Sequence, residues 1–189
     1  MPDELRDDLT SASPEAEKKR LSFIRILNSR LPKKRVIGQG LLRDEHGRVL
    51  LCQLTYKRDW DLPGGVVDPS ESPAHCVVRE VQEELGLDVQ VRGLLAVNWL
   101  PPYRGWDDAL LCLFDLGIAE AAVVHSMTLL RREIKDAHWV EPTDLANHVA
   151  PYTAAMLTEV LAQLDAQARG ETEASTAYIE DSRRVDFGD

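Results

Sequence analysis

Glu80, Glu83 and Glu84 lie within five consecutive positions, and their spacing decides what they can do. Residues three and four apart are neighbours on a helix, so a helix would bring all three carboxylates onto one arc. Like charges at that spacing repel weakly. One reading is a solvated, Glu-rich helix face, since Glu is a good helix former. The other is a set of hard oxygen ligands for a divalent cation. Mg²⁺ prefers such ligands, keeps several waters and commonly bridges a carboxylate site to substrate phosphates. Trp60, Asp61, Leu62, Pro63, Gly64 and Gly65 lead into the segment. Two successive glycines allow unusual backbone angles and a close approach to a ligand.

The element that must carry these glutamates is well marked. Ser72 suits a helix N-cap and Pro73 the first helical position, where its missing N–H costs nothing. Gly86 follows Leu85 where a left-handed residue would end the helix. A helix is therefore expected over 73–85. Ala74, Val77, Val78, Val81 and Leu85 form its apolar stripe, and the glutamates occupy a different arc.

Gly65, Glu71, Arg79, Glu80, Val81, Glu83, Glu84, Gly86 and Leu87 together match G-x5-E-x7-R-E-U-x-E-E-x-G-U, with U aliphatic and no departure. The segment resembles the complete signature of the Nudix hydrolases. That resemblance implies metal-assisted attack of water on one phosphorus of a pyrophosphate, in nucleoside diphosphates linked to another moiety. It implies Mg²⁺ as cofactor, with Mn²⁺ a possible substitute. Glu83 and Glu84 would be the main ligands with the Gly64 carbonyl, and Glu80 a further ligand or the group orienting the water. Arg79 would orient the carboxylates by charge-assisted hydrogen bonds, with Glu71 as scaffold. In some relatives an acidic residue ahead of a strand tryptophan reaches the metal. Glu133, six residues before Trp139, is that candidate ligand or general base. Asp136 and Glu141 compete with it, and an ordinary surface acid is the plain alternative.

Length, charge and cysteines bound the rest. The chain has 189 residues, enough for one domain with a sizeable core. Its net charge of −10 argues against nonspecific binding to a nucleic-acid backbone. No apolar run reaches membrane-span length, and the N-terminus lacks the pattern of a secretory signal. Cys52, Cys76 and Cys112 sit among apolar neighbours and read as reduced thiols of a cytoplasmic protein. The five histidines show no zinc spacing with them and read as solvated or structural.

Residues 1–13 are polar and read as frayed. A helix is expected from about 14 to 30, with Leu21, Ile24, Leu27 and Leu31 as a stripe widened by Phe23 and Ile26. From Lys18 to Arg35 the chain carries eight of its 22 basic residues and no acidic one. The segment reads as an added helix packing on the domain or on a second subunit of a homodimer. A basic amphipathic helix for anionic surfaces is the alternative. Strands are expected over 36–42 and 49–54, joined by a turn at 43–48, and over 89–100, 109–116 and 137–140. A short helix would run from Pro142 toward His148 and a longer one over 152–168. Three regions follow: a polar arm and amphipathic helix at 1–34, a Nudix hydrolase domain at 35–168 and a polar tail at 169–189. The expected class is α/β, a Nudix-type α/β/α sandwich with a mixed sheet and an added N-terminal helix.

The substrate is a small-molecule nucleotide on this reading, with neither a nucleic acid nor a membrane as partner. Trp99, Tyr103 and Trp106 cluster after the motif, where an aromatic face would stack a nucleobase or simply pack. Arg58 is counted with them as a substrate-binding candidate. The loop between strands holds Pro101, Pro102, Tyr103, Arg104 and Gly105. Pro102 and Tyr103 match markers of two different branches, ADP-ribose and dinucleoside-polyphosphate hydrolases, so neither decides. Asp107 and Asp108 would contact a ribose or base edge, or face water. Two other functions on the same fold are a nucleotide-sensing regulator, which usually lacks catalytic carboxylates, and an isoprenoid-diphosphate isomerase, which needs a poised cysteine.

Overall fold

The structure is a computed structural model that describes residues 13–103 and 105–185. Residues 1–12 of the segment 1–13 expected to fray, Arg104, and residues 186–189 of the expected tail lie outside the described residues. The chain divides after Lys33. Before that point lies helix α1, Pro14–Arg30, capped by Ser13, whose hydroxyl accepts from the Ala16 N–H at 3.3 Å. Leu31 is extended and closes the helix, so the last position of the expected stripe falls outside it.

The second unit is built on strands β1 (Arg35–Asp44), β2 (Val49–Leu54), β3 (Gly64–Val66), β4 (Gly93–Leu100), β5 (Ala109–Ala119), β6 (Ile134–Val140), β7 (Ala177–Glu180) and β8 (Arg183–Arg184). Helices α2 (Pro73–Leu85) and α3 (Pro151–Ala168) complete it, with short 3₁₀ turns at Ala121–His125 and Pro142–Asn147. The sheet order is β6-β2-β1-β5-β4-β7-β8, and β3 pairs with β1. The β1–β5 and β4–β7 pairs are parallel and the others antiparallel, so the sheet is mixed.

Both faces of the sheet are covered, which is why its central strands read as continuous apolar runs. Leu41, Leu51 and Leu113 share one core with Met156, Leu157 and Val160 of α3. The alternate residues Leu42, Leu50, Cys52 and Phe114 share the other with Val77, Val81 and Leu85 of α2. This is the expected α/β/α sandwich. No described helix is long and apolar enough to cross a membrane.

Residues 169–184 are not a loose tail. Strand β7 adds to the outer edge of β4, pairing Ala96 with Ala177 and Asn98 with Ile179, and both Ala177 and Ile179 are 1 % exposed. Only alternate residues of this four-residue strand are apolar, too short a pattern to stand out from polar flanks. Strand β4 begins at Gly93 rather than at residue 89. The three-residue β3 carries no hydrophobic period and is not among the expected strands.

Candidate active site

Helix α2 forms where its caps placed it. The Ser72 hydroxyl accepts from the His75 N–H at 3.3 Å, and Gly86 is left-handed at φ 67°. The carbonyls that a helix leaves unpaired at its C-terminus find donors in the next loop. Thr128 N–H donates to the Leu85 carbonyl and Leu130 N–H to the Glu84 carbonyl, each at 2.9 Å. Those two bonds dock the loop that carries Glu133. The charge of Glu133 reaches Glu80 and Glu84 and helps raise both pKa values. This is the residue that the sequence offered by its distance from Trp139. The Glu133 carboxylate accepts from Arg132 Nε at 2.9 Å.

The glycine turn sits against the helix through β3, which pairs Gly64 with Gln39 and Gly65 with Gly38. Gly64 has φ 137°, and a Cβ there would collide with the Gly38 carbonyl. At Gly65 a Cβ would run into the Glu80 carboxylate. The two glycines therefore allow strand backbone to lie directly against the acidic helix. Gly64 uses that closeness, since its N–H donates to Glu84 Oε2 at 3.2 Å.

The three glutamates have different surroundings. Glu84 is only 6 % exposed. Burial pushes its carboxyl up to about 8, the Gly64 N–H opposes this, and the charges of Glu80, Glu133 and Asp61 add to the rise. Glu80 is half-buried and also raised, by burial first, against the pull of Arg79. Glu83 is largely exposed. Arg79 is the hub: it donates to Glu71 at 2.8 and 3.0 Å, to Glu80 at 2.9 Å and to Glu83 at 3.3 Å. Glu71 also accepts the Asp68 N–H at 3.0 Å, and its carboxyl is held down to about 2, chiefly by Arg79.

Among the described residues, no three His, Cys, Asp or Glu side chains converge tightly enough to enclose a metal ion. As arranged here, Glu80 and Glu83 lean on Arg79 while Glu84 turns to Gly64. The donor set nevertheless fits a hard divalent cation in kind. It offers carboxylate oxygens from one helix, and the most buried of them has the neighbouring negative charges of Glu80, Glu133 and Asp61. Such crowding of negative charge favours a nearby cation.

The aromatic candidates have described contacts among themselves and with Arg35 and Asp108. Trp99 Nε1 donates to Asp108 Oδ2 at 3.2 Å, and Asp108 also pairs with Lys34. Trp106 is exposed, bridges to Tyr103, and holds the Arg35 guanidinium 4.8 Å from its ring centroid. Arg58 is exposed. Sequence reasoning missed a second group on the near side. Asp61 accepts from Gln39 Nε2 at 2.7 Å and from Lys57 Nζ at 2.6 Å, and its charge is felt by Glu84. Next to it, Trp60 stacks with the rings of His138 and His148. These two histidines were expected to be solvated or structural, and nothing in their sequence spacing marks the stack. A surface depression of about 360 Å³ lies elsewhere, lined by Arg92, Asp115, Leu164 and Ser175.

A family model for the NUDIX domain matches residues 34–163. A MutT-like protein of Streptomyces ambofaciens is 28% identical over 122 residues, 65% of this chain and 73% of that one. An 8-oxo-dGTP diphosphatase of Proteus vulgaris is 38% identical over 61 residues, 30% of this chain, and the match spans only 54% of that protein. The crystal structure of the MutT protein from Methanosarcina mazei Go1 aligns with a TM-score of 0.61 at 25% identity, covering 71% of this chain and 98% of its own.

Proposed function

Because the chain belongs to the Nudix family, we propose that it hydrolyses the pyrophosphate linkage of a nucleotide with the help of Mg²⁺. The substrate class is a nucleoside triphosphate, oxidised forms included, or a nucleoside diphosphate linked to a sugar. The observation that carries this reading is Glu84, a buried carboxylate held by the Gly64 N–H and surrounded by further acids. The name of the Proteus vulgaris relative supports the triphosphate branch of the class.

Glu80, Glu83 and Glu84, with the Gly64 carbonyl, would hold the metal; Mn²⁺ presents a similar preference for oxygen ligands. When bound, the ion supplies charge neutralisation at the bridging oxygens and a lowered pKa for the attacking water. The protein's own residues supply position. Arg79 fixes the Glu80 and Glu83 carboxylates through its fork of N–H donors. Glu71 fixes Arg79 in turn. Glu133, on the loop docked to the end of α2, would accept a proton from water or complete the ligand set. Phosphoryl transfer draws most of its acceleration from such positioning and electrostatics. The three free thiols suit a reducing compartment such as the cytoplasm.

The test is product release from a panel of dNTPs, oxidised dNTPs, ADP-ribose, nucleotide sugars and dinucleoside polyphosphates, with and without Mg²⁺. Wild type should turn over at least one member only with the metal, and Glu84→Gln should lower the rate by roughly 10²-fold or more. Equal turnover by both proteins would overturn the reading.

A further inference from the structure

We infer that the ring stack of His138, Trp60 and His148 is a nucleobase platform, with the outer face of His148 receiving the base and the Gln39 carbonyl accepting one of its N–H groups. The inference rests on the hydrolase reading above, which requires a nucleotide at this end of the sheet.

The geometry is specific. Trp60 and His148 have ring centroids 4.2 Å apart with 27° between planes. Trp60 and His138 lie 4.6 Å apart at 18°. Two imidazoles already stack on the indole, so a further ring would extend the stack at one of them. His148 is the better placed of the two. Its Nε2 lies 2.9 Å from Asp144 Oδ2, and its carbonyl accepts the Trp60 N–H at 2.8 Å. The ring is thus fixed from two directions. It remains partly open to solvent, with a side-chain exposure of 28%.

A second, independent observation points to a ligand. Gln39 is 5 % exposed, and its Oε1 is buried with no hydrogen-bond partner among the described residues. A buried amide oxygen left unpaired costs free energy until a donor arrives. Its amide nitrogen is committed to Asp61, the residue after Trp60. Asp61 also binds Lys57, and its charge is felt by Glu84 and by Tyr152, four residues beyond His148. Stack, unpaired acceptor and acidic helix thus converge on residues 60 and 61. A planar heterocycle carrying an N–H, joined to a pyrophosphate, fits that order. Stacking on an aromatic face is tolerant of base identity, while the single acceptor favours bases with an exocyclic amine.

Binding separates this from the hydrolase reading. The probes are the α,β-methylene analogues of ADP and CDP, which lack the scissile P–O–P bridge, and methylenediphosphonate, which lacks the base. Calorimetry with Mg²⁺ should show His148→Ala weakening both nucleotide analogues about tenfold, with methylenediphosphonate unchanged. His148→Phe should restore binding and serves as the check on folding. Gln39→Met should weaken the ADP analogue but not its counterpart with unsubstituted purine. Unchanged nucleotide binding by His148→Ala, or an equal loss for methylenediphosphonate, overturns the platform, as does wild type that binds neither analogue. Failure of the hydrolase reading looks different: the analogues bind through His148, yet no nucleotide of the panel is hydrolysed.

Discussion

Two acids of the signature experience opposite fields, and each gives a separable prediction. Glu84 is buried with other carboxylates near it, so its charge is unfavourable in the folded, metal-free protein. Replacing it with Gln removes that charge while keeping the shape and the acceptor for the Gly64 N–H. Metal-free Glu84→Gln should therefore melt at or above the wild-type temperature at pH 7, in scanning calorimetry, while losing hydrolysis. Glu71 is the reverse case. Its folded pKa of about 2 lies below the ordinary value of 4.5, because Arg79 and the Asp68 N–H favour the charged form. The stability it contributes is fully present above about pH 4.5 and is lost as pH falls through about 2. Urea unfolding of wild type and Glu71→Gln across that window should show a stability gap that is constant above pH 5 and closes toward pH 2. A gap independent of pH would show that Arg79 does not act on Glu71 through charge.

At the scale of elements, the hairpin of β1 and β2 has its turn built around one acid. Asp44 is 1 % exposed and accepts from His46 N–H at 3.0 Å, Arg48 N–H at 2.8 Å and Arg48 Nε at 2.6 Å. Gly47 takes the left-handed angle that closes the turn, at φ 82°. Asp44→Ala leaves those donors unpaired and should cost about 2–4 kcal/mol in chemical denaturation, with kcat of the folded protein unchanged. The turn was legible because its chemistry is local: an acid, a glycine and flanking apolar runs. Helix α2 was legible for the same reason, since Ser72, Pro73 and Gly86 mark both ends within the segment itself. The stack of His138, Trp60 and His148 was not legible. Its three rings come from a loop before β3, from β6 and from the residue closing a 3₁₀ turn. The register of Leu51 against His138 and the bridges from Cys52 to Asp61 and from Trp60 to Val149 bring them together.

At the scale of the molecule, the open question for the sequence was where the sheet ends. Local signals defined β1, β2 and β5, whose runs are long and apolar, but β7 owes its structure to an edge far away in the chain. Strand β4 would otherwise present unpaired backbone groups at the sheet margin, and an exposed edge invites pairing with another chain. Residues 177–180 cover that edge in parallel register, and Thr176 Oγ1 adds a bond to the Leu94 carbonyl at 2.9 Å. Gln163 of α3 also binds the Ser175 carbonyl, fastening the return segment to the helix above it. Ile179 fills the core shared with Met156 and Val160. Ile179→Ala should therefore destabilise the protein by about 2–5 kcal/mol, as for other buried aliphatic truncations. Truncation after Gly170 should cost at least as much, and should also promote self-association through the bared β4 edge. Denaturation midpoints with light scattering decide the matter. A truncated protein as stable and monodisperse as the full chain would mean that the segment lies on the sheet without supporting it.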